Sequence, residues 1–283
     1  MVLFKKVKDL QNYLDLQRKN GKKIGFAPTM GALHKGHLSL INGSKKENDI
    51  TACSIFVNPT QFNDPADFEK YPVTLEQDIM LLESAGTDVL LLPSVTEMYP
   101  DGATNTKHYD LGYLEKILEG EYRPGHFQGV CMIVHRLLEI VRPDNLYIGQ
   151  KDYQQCMVIK KLIELTGFNN LTKLNISPTL REPDGLAMSS RNMRLTKDER
   201  TKATAIIQAL NFVKENLQKG DLTTLKKQAA NNLSAKGFKV DYVEIANADT
   251  LQIKDNWDGK EKLVTLAAAF MNGVRLIDNV ILN

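Results

Sequence analysis

Apolar runs suited to buried strands recur at 24–27, 50–57, 88–92, 146–148 and 171–176, and stretches with helical spacing separate them. Strands alternating with helices predict an α/β fold built on a parallel sheet. Thr74 followed by Gln77 predicts a capping box that opens a helix ending at Ser84. Val130, Ile133, Val134, Leu137, Leu138 and Val141 keep one apolar helical face until Pro143. In open sheets of this kind ligands sit outside the carboxyl ends of the strands, so the segments after Ala27, Val57, Ile148 and Ile176 are expected to gather at one crevice.

The texture changes after Arg191. Thr196 and Glu199 form a second capping box, one helix runs towards Gly220, and another runs from about Leu222 to near Gly237. Three β-type segments follow at 239–246, 263–270 and 274–282, with Asn272-Gly273 as a tight hairpin turn between the last two. The expected organisation is a larger domain over 1–177 and a smaller α+β domain over 178–283, the latter with two helices and a three-stranded antiparallel sheet. No repeat, low-complexity tract or Pro-rich linker separates them, so the junction at 178–191 reads as a compact hinge.

Composition narrows the function classes. The 283 residues carry a net charge of +2 and no run of five basic residues, which argues against a strongly cationic nucleic-acid binder. The start, Met1-Val2-Leu3-Phe4-Lys5-Lys6, lacks the apolar core of a signal peptide, and no stretch approaches the length of a membrane span, so the expectation is a cytosolic chain. Cys53, Cys131 and Cys156 are widely spaced within apolar runs and read as core thiols.

The most informative segment is Ile24 to His37. A short strand ending at Pro28 passes through Gly31 and Gly36 into a helix start that carries His34 and His37. Glycines let a backbone approach a ligand, the helix start presents N–H groups to anionic oxygens, and both imidazoles can donate to the same oxygens, an arrangement suited to a triphosphate. Histidines three apart also suit a metal, but no Glu follows His34 as in a zinc protease helix and no third ligand is nearby.

Gly149-Gln150-Lys151-Asp152 follows a strand and brings a compact cation suited to a phosphate and a carboxylate suited to a ribose hydroxyl; a solvated Lys–Asp pair is the plainer alternative. Met188-Ser189-Ser190-Arg191 joins two hydroxyls to a guanidinium, a good set for a departing pyrophosphate, unless the serines merely satisfy turn backbone. Gln61, after the Asn58-Pro59 turn, can read a hydroxyl or carboxylate, and Gln154-Gln155 offer a second amide. Arg123-Pro124-Gly125-His126 either shapes the pocket or only caps the following helix, and His135 reads as structural. Asp78 and neighbouring carboxylates are candidates for a magnesium shell, and the sequence assigns none of them.

Five blocks together resemble a known family. Pro28 to His37, Phe56 to Phe62, Arg123 to Phe127, Gly149 to Asp152 and Asp184 to Asn192 are similar, in this order and at these separations, to the signature blocks of the pantothenate synthetases. The first block alone would indicate only the wider nucleotidyltransferase superfamily. The resemblance implies a Rossmann-like N-terminal domain, a smaller C-terminal lid and a cytoplasmic homodimer. It also implies an ATP- and magnesium-dependent ligase that joins pantoate to β-alanine through an enzyme-bound pantoyl adenylate.

By motif position the resemblance places Met30, Gly31, Ala32, Leu33, His34, Lys35, Gly36 and His37 around ATP, with His37 as proton donor and His34 as its partner. It places Lys151 on the α-phosphate, Gly149, Gln150 and Asp152 by the nucleoside, and Leu180 near the adenine. Met188, Ser189, Ser190 and Arg191 fall on the β- and γ-phosphates, and Gln61 and Gln155 on pantoate. The rival readings are an adenylyltransferase acting on a phosphorylated cofactor precursor, which should need more cations around its acceptor, and a nucleotide-sensing module without chemistry. Neither nucleic acid nor membrane is an expected partner.

Overall fold

The computed structural model describes residues 1–62, 68–102 and 107–283. It divides into two compact units, one of residues 1–150 with 158–178 and one of 151–157 with 179–283. The simple division expected between 177 and 178 therefore has no counterpart for 151–157, which group with the C-terminal residues.

In the first unit the main elements in chain order are β1 (Val2–Phe4), α1 (Val7–Lys19), β2 (Ile24–Thr29), α2 (Lys35–Glu47), β3 (Ile50–Ile55), α3 (Leu75–Ser84), β4 (Val89–Leu91), α4 (His126–Val141), β5 (Asn145–Gly149), α5 (Tyr153–Leu165, whose first residues belong to the other unit) and β6 (Lys173–Ser177). The six strands form one sheet in the order β1-β4-β3-β2-β5-β6, every pair parallel. The edge strand β1 is too short to leave a pattern in the sequence, and it pairs through Val2↔Val89, Leu3↔Leu90 and Phe4↔Leu91. β2 and β3 consist largely of buried residues, as strands covered on both faces should. Ala27, Cys53, Leu90 and Tyr147 from the sheet pack with Leu40, Ile41 and Leu82 from the helical layer and with Leu33 from the turn before α2.

Strand order reverses direction at β2. From there the chain proceeds through β3 and β4 on one side, while β5 and β6 lie on the other. β2 and β5 pair only at Gly25↔Asn145 and Phe26↔Leu146, so their carboxyl ends, Thr29 and Gly149, flank a gap in the ladder. That is the switch point at which doubly wound sheets open a crevice for ligands.

The capping box read at Thr74 does not form. Thr74 occupies the N-cap of α3, but its hydroxyl donates to the Asp78 carboxylate at 3.1 Å instead of accepting from the helix backbone. A buried acceptor with two further backbone donors to satisfy outcompetes the local cap.

The second unit contains α6 (Lys197–Lys202), α7 (Ala205–Glu215), β7 (Gly220–Asp221), α8 (Thr223–Ala235), β8 (Lys239–Asn247), β9 (Asn256–Trp257), β10 (Leu263–Met271) and β11 (Val274–Ile281). The single helix expected before Gly220 is thus two, and the capping box at Thr196 and Glu199 heads the first of them. β8, β10 and β11 form the antiparallel sheet in the order β11-β10-β8, while β7 and β9 make a separate ribbon. Asn272 and Gly273 have φ of +44° and +83°, the paired left-handed conformation of the tight hairpin read from the sequence. The core lies between this sheet and the helices, with Ile206, Leu210, Val213 and Leu233 against Ile245, Ala267 and Ala269.

Candidate active site

The turn after β2 bends through two left-handed residues, Gly31 at φ +83° and Ala32 at φ +48°. A non-glycine residue in that region is strained, so something must hold the bend. Asp78 does so: the N–H of Ala32 donates to one carboxylate oxygen at 2.9 Å and the N–H of Leu33 to the other at 2.8 Å. Consecutive backbone N–H groups of this kind form a concavity for an anion, and here the anion is the protein's own. The N–H groups of Ala32 and Leu33 therefore point at Asp78, and the expected phosphate cradle does not draw on these two backbone donors. A Cβ on Gly31 would stand 3.0 Å from an Asp78 carboxylate oxygen and 3.2 Å from Ile55, so only glycine fits this bend easily.

Helix α2 begins with a cap made of two histidines. His34 is the N-cap, its Nδ1 accepting the N–H of Gly36 at 3.1 Å, and Nδ1 of His37 accepts the N–H of His34 at 3.3 Å. A ring nitrogen that accepts carries no proton, so each neutral imidazole holds its proton on Nε2 as a donor. The rings lie 4.1 Å apart at their centroids. The metal alternative weakens on the same observation, because both Nδ1 atoms cap the backbone. Among the described residues no group of three His, Cys, Asp or Glu side chains is placed to hold a metal ion.

Gln61 ends a short 3₁₀ turn, Pro59–Gln61, anchored by the fully buried Asn58. The Asn58 amide donates to the Gly129 carbonyl at 3.2 Å and to Thr60 Oγ1 at 3.0 Å, and its oxygen accepts the Tyr99 hydroxyl at 2.8 Å. The side-chain amide of Gln61 reaches Met30 Sδ at 2.7 Å, so the second block touches the first. His126 Nδ1 lies 2.7 Å from the Gln61 carbonyl oxygen and its Nε2 3.0 Å from the Arg123 guanidinium. A guanidinium only donates, so Nε2 accepts and the Nδ1–H donates to Gln61. The turn at Arg123 to His126 thus holds the Gln61 peptide, and no side chain caps the helix there. His135, by contrast, sits buried against the Tyr109 hydroxyl at 2.9 Å, the structural role read from the sequence.

A neighbouring cleft of about 280 Å³ borders Met30, Gly31 and Ala32 on one side and Val57 and Leu92 on another. Among the described residues its one charged lining side chain is Asp78, already committed to the turn, so these residues do not make the cleft a phosphate site.

Gly149 closes β5 opposite Ser177, and the N–H of Gln150 donates to the Ser177 carbonyl at 2.8 Å. In the second unit the Lys151 ammonium stands 3.7 Å from the Asp152 carboxylate, the lysine side chain mostly buried and the aspartate half exposed. Gln154 is buried and Gln155 half-buried at the start of α5. Further on, Arg181 and Ala187 form a bridge, and the Leu180 carbonyl accepts the N–H of Met188 at 3.0 Å. This makes a narrow loop whose Asp184 is paired with Arg200 at 2.6 Å, a hydrogen bond that holds the carboxyl below its ordinary range. Ser189 Oγ accepts the N–H of Arg191 at 3.3 Å, so this serine satisfies turn backbone, the plainer of the two readings.

The chain matches the Pantoate-beta-alanine ligase family over residues 2–281. The pantothenate synthetase of Cytophaga hutchinsonii is 42% identical over 285 residues, covering 100% of this chain and 99% of that one. The pantothenate synthetase of Acetivibrio thermocellus is 45% identical over 284 residues, covering 99% of each. This chain belongs to the pantoate–β-alanine ligase family. Its fold is similar to a crystal structure of the Thermus thermophilus enzyme, with a TM-score of 0.90, 38% identity and 99% of each chain covered. It is also similar to the Francisella tularensis ligase complexed with Beta-gamma ATP and Beta-alanine, with a TM-score of 0.83, 40% identity, and 99% of this chain and 97% of that one covered.

For a pantoate–β-alanine ligase, what the sequence leaves unassigned is the set of contacts that hold the motifs. Asp78, Asn58, His126 and Asn279 are all buried polar side chains that bond to backbone or to motif side chains. One signal was available for Asp78: it and Leu82, four apart, are the two buried residues of α3, so a carboxylate stands on the helix's core-facing stripe. Burial of the cysteines pushes Cys53 and Cys131 up to about 12, which rules them out as nucleophiles at neutral pH.

Proposed function

We propose that this chain condenses (R)-pantoate with β-alanine by the two-step route its family membership implies. In the first step a pantoate carboxylate oxygen attacks the α-phosphorus of ATP, the bond to the β-phosphate breaks, and pyrophosphate leaves. In the second the β-alanine amine attacks the acyl carbon of the pantoyl adenylate, loses a proton, and AMP departs with the bonding electron pair. No covalent bond to the protein is formed.

The observation that carries this reading is the double-histidine cap. With both Nδ1 atoms accepting backbone N–H groups, the Nε2 protons are set as donors at a helix N-terminus, where developing phosphate charge is also favoured by the helix dipole. His37 donates to the phosphate oxygens with His34 beside it, and Lys151 follows the α-phosphate through both steps. Gly149, Gln150 and Asp152 meet the nucleoside, Leu180 the adenine, and Met188 to Arg191 the departing pyrophosphate. Gln61 and Gln155 bind the pantoate hydroxyls and carboxylate. Catalysis is then alignment of carboxylate with phosphorus plus stabilisation of spreading charge.

Magnesium enters as part of the substrate, MgATP. Asp78, the carboxylate named for a magnesium shell, is already spent on the Ala32 and Leu33 N–H groups and on Thr74. The reading includes a cytoplasmic homodimer, and no described helix is long and apolar enough to cross a membrane. A relative complexed with Beta-gamma ATP and Beta-alanine disfavours a plain adenylyltransferase, which uses no amine.

The test is pyrophosphate release with and without pantoate, followed by AMP release on adding β-alanine. Pantoate-dependent pyrophosphate and β-alanine-dependent AMP are expected. ATP binding without either product overturns the ligase reading in favour of a sensing module.

A further inference from the structure

Lys151 and the loop at 180–191 are joined, inside the second unit, through one strand. β11 carries two successive buried polar residues, Asp278 and Asn279. Successive strand residues face opposite sides, so a polar group is buried on each face of β11. Asp278 holds Arg181 in a two-pronged pair at 2.6 and 3.0 Å, and the same guanidinium donates to the carbonyls of Gly185 at 3.1 Å and Asn279 at 3.2 Å. The Asn279 side-chain amide in turn donates to the Lys151 carbonyl at 2.8 Å. Arg181 also forms the bridge with Ala187 that closes the base of the loop.

A buried ion pair adds little stability over well-packed apolar residues, but its fork geometry admits one arrangement. Here that arrangement ties two distant segments to a single rigid strand. We propose that Asn279 and the Asp278–Arg181 pair are positioning residues: they set the spacing between Lys151 and the Met188 to Arg191 loop, so that one phosphate chain meets both. This rests on the assignment of Lys151 and that loop to the phosphates of ATP.

A double-mutant cycle on the first half-reaction tests it, read as single-turnover pyrophosphate release at saturating ATP, with the pantoate KM measured in parallel. Asn279→Ala and the volume-conserving Asn279→Leu should each slow release by about tenfold or more, as small misplacements of a catalytic group do. The pantoate KM should change little. In a Lys151→Ala background the Asn279 substitutions should add less than about twofold, since their effect acts through Lys151. Arg181→Lys keeps the charge but loses the fork, and should slow release in the same way even if the Asn279 variants fold poorly. Fully additive Asn279 and Lys151 effects, or wild-type release by folded Arg181→Lys, overturn the positioning role while leaving the site assignment intact. Wild-type release by Lys151→Ala overturns the assignment on which it rests.

Discussion

Asp78 accepts the backbone N–H of Leu33 at 2.8 Å across 45 residues of sequence, and with the Ala32 N–H on its other oxygen it holds the left-handed turn that precedes the histidine cap. The carboxylate is 1% exposed, so nothing in solvent can replace it. Asp78→Asn keeps one acceptor but turns an NH₂ group towards a buried N–H, which should cost about 1–3 kcal/mol of stability. Pyrophosphate release should also slow by about tenfold or more as the turn relaxes. Chemical denaturation and single-turnover assays read the two effects, and unchanged values for both would remove Asp78 from this role.

His37→Ala should lower pyrophosphate release at least about tenfold, because it removes a donor aimed at developing charge. The cap complicates a simple reading, so His34 provides the separation. His34→Asn retains a side-chain oxygen able to cap the helix and should keep stability within about 0.5 kcal/mol, whereas His34→Ala should lose about 1 kcal/mol. Both should lose rate. Full activity in His34→Asn would mean that this ring serves the helix alone.

Gly129 lies where helix α4 meets the Pro59–Gln61 turn, and a Cβ there would stand 2.2 Å from the Thr60 carbonyl oxygen. Backbone cannot yield as a flexible side chain would. Gly129→Ala should therefore shift the Gln61 turn, cost about 1–3 kcal/mol, and raise the pantoate KM more than the ATP KM. Equal changes in both constants would show that the turn does not serve pantoate.

The buried thiols set an alkaline limit. Burial raises Cys53 and Cys131 to about 12, well above their unfolded value near 9, and pushes Cys156 up as well. Above pH 9 the unfolded chain loses these protons first and binds fewer than the native one, so stability is full below that pH and falls as pH rises towards 12. The slope approaches ~1.4 kcal/mol per pH unit for each thiol. Tm measured from pH 8 to 11 should decline from about pH 9, and replacing Cys53 by Ala should flatten the curve; a Tm independent of pH would contradict this account.

The sequence by itself determined the main strands and helices and where the motifs fall on them. Short apolar runs such as those of β2 and β3 suit strands covered on both faces, the Thr196 capping box and the Asn272-Gly273 turn act within a few residues, and His34 and His37 stand at the start of α2. Such signals are local, so no tertiary contact is needed to read them. Only the tertiary structure decided what holds the motifs. Thr74 abandons its own helix cap for Asp78, which serves a turn in another part of the sheet. His126 serves Gln61 rather than its own helix, and Asn279 holds the peptide of a lysine 128 residues earlier. Each is a buried polar group whose partner is chosen by which backbone donor or acceptor would otherwise go unpaired in the packed interior, and that choice leaves no periodic trace along the chain.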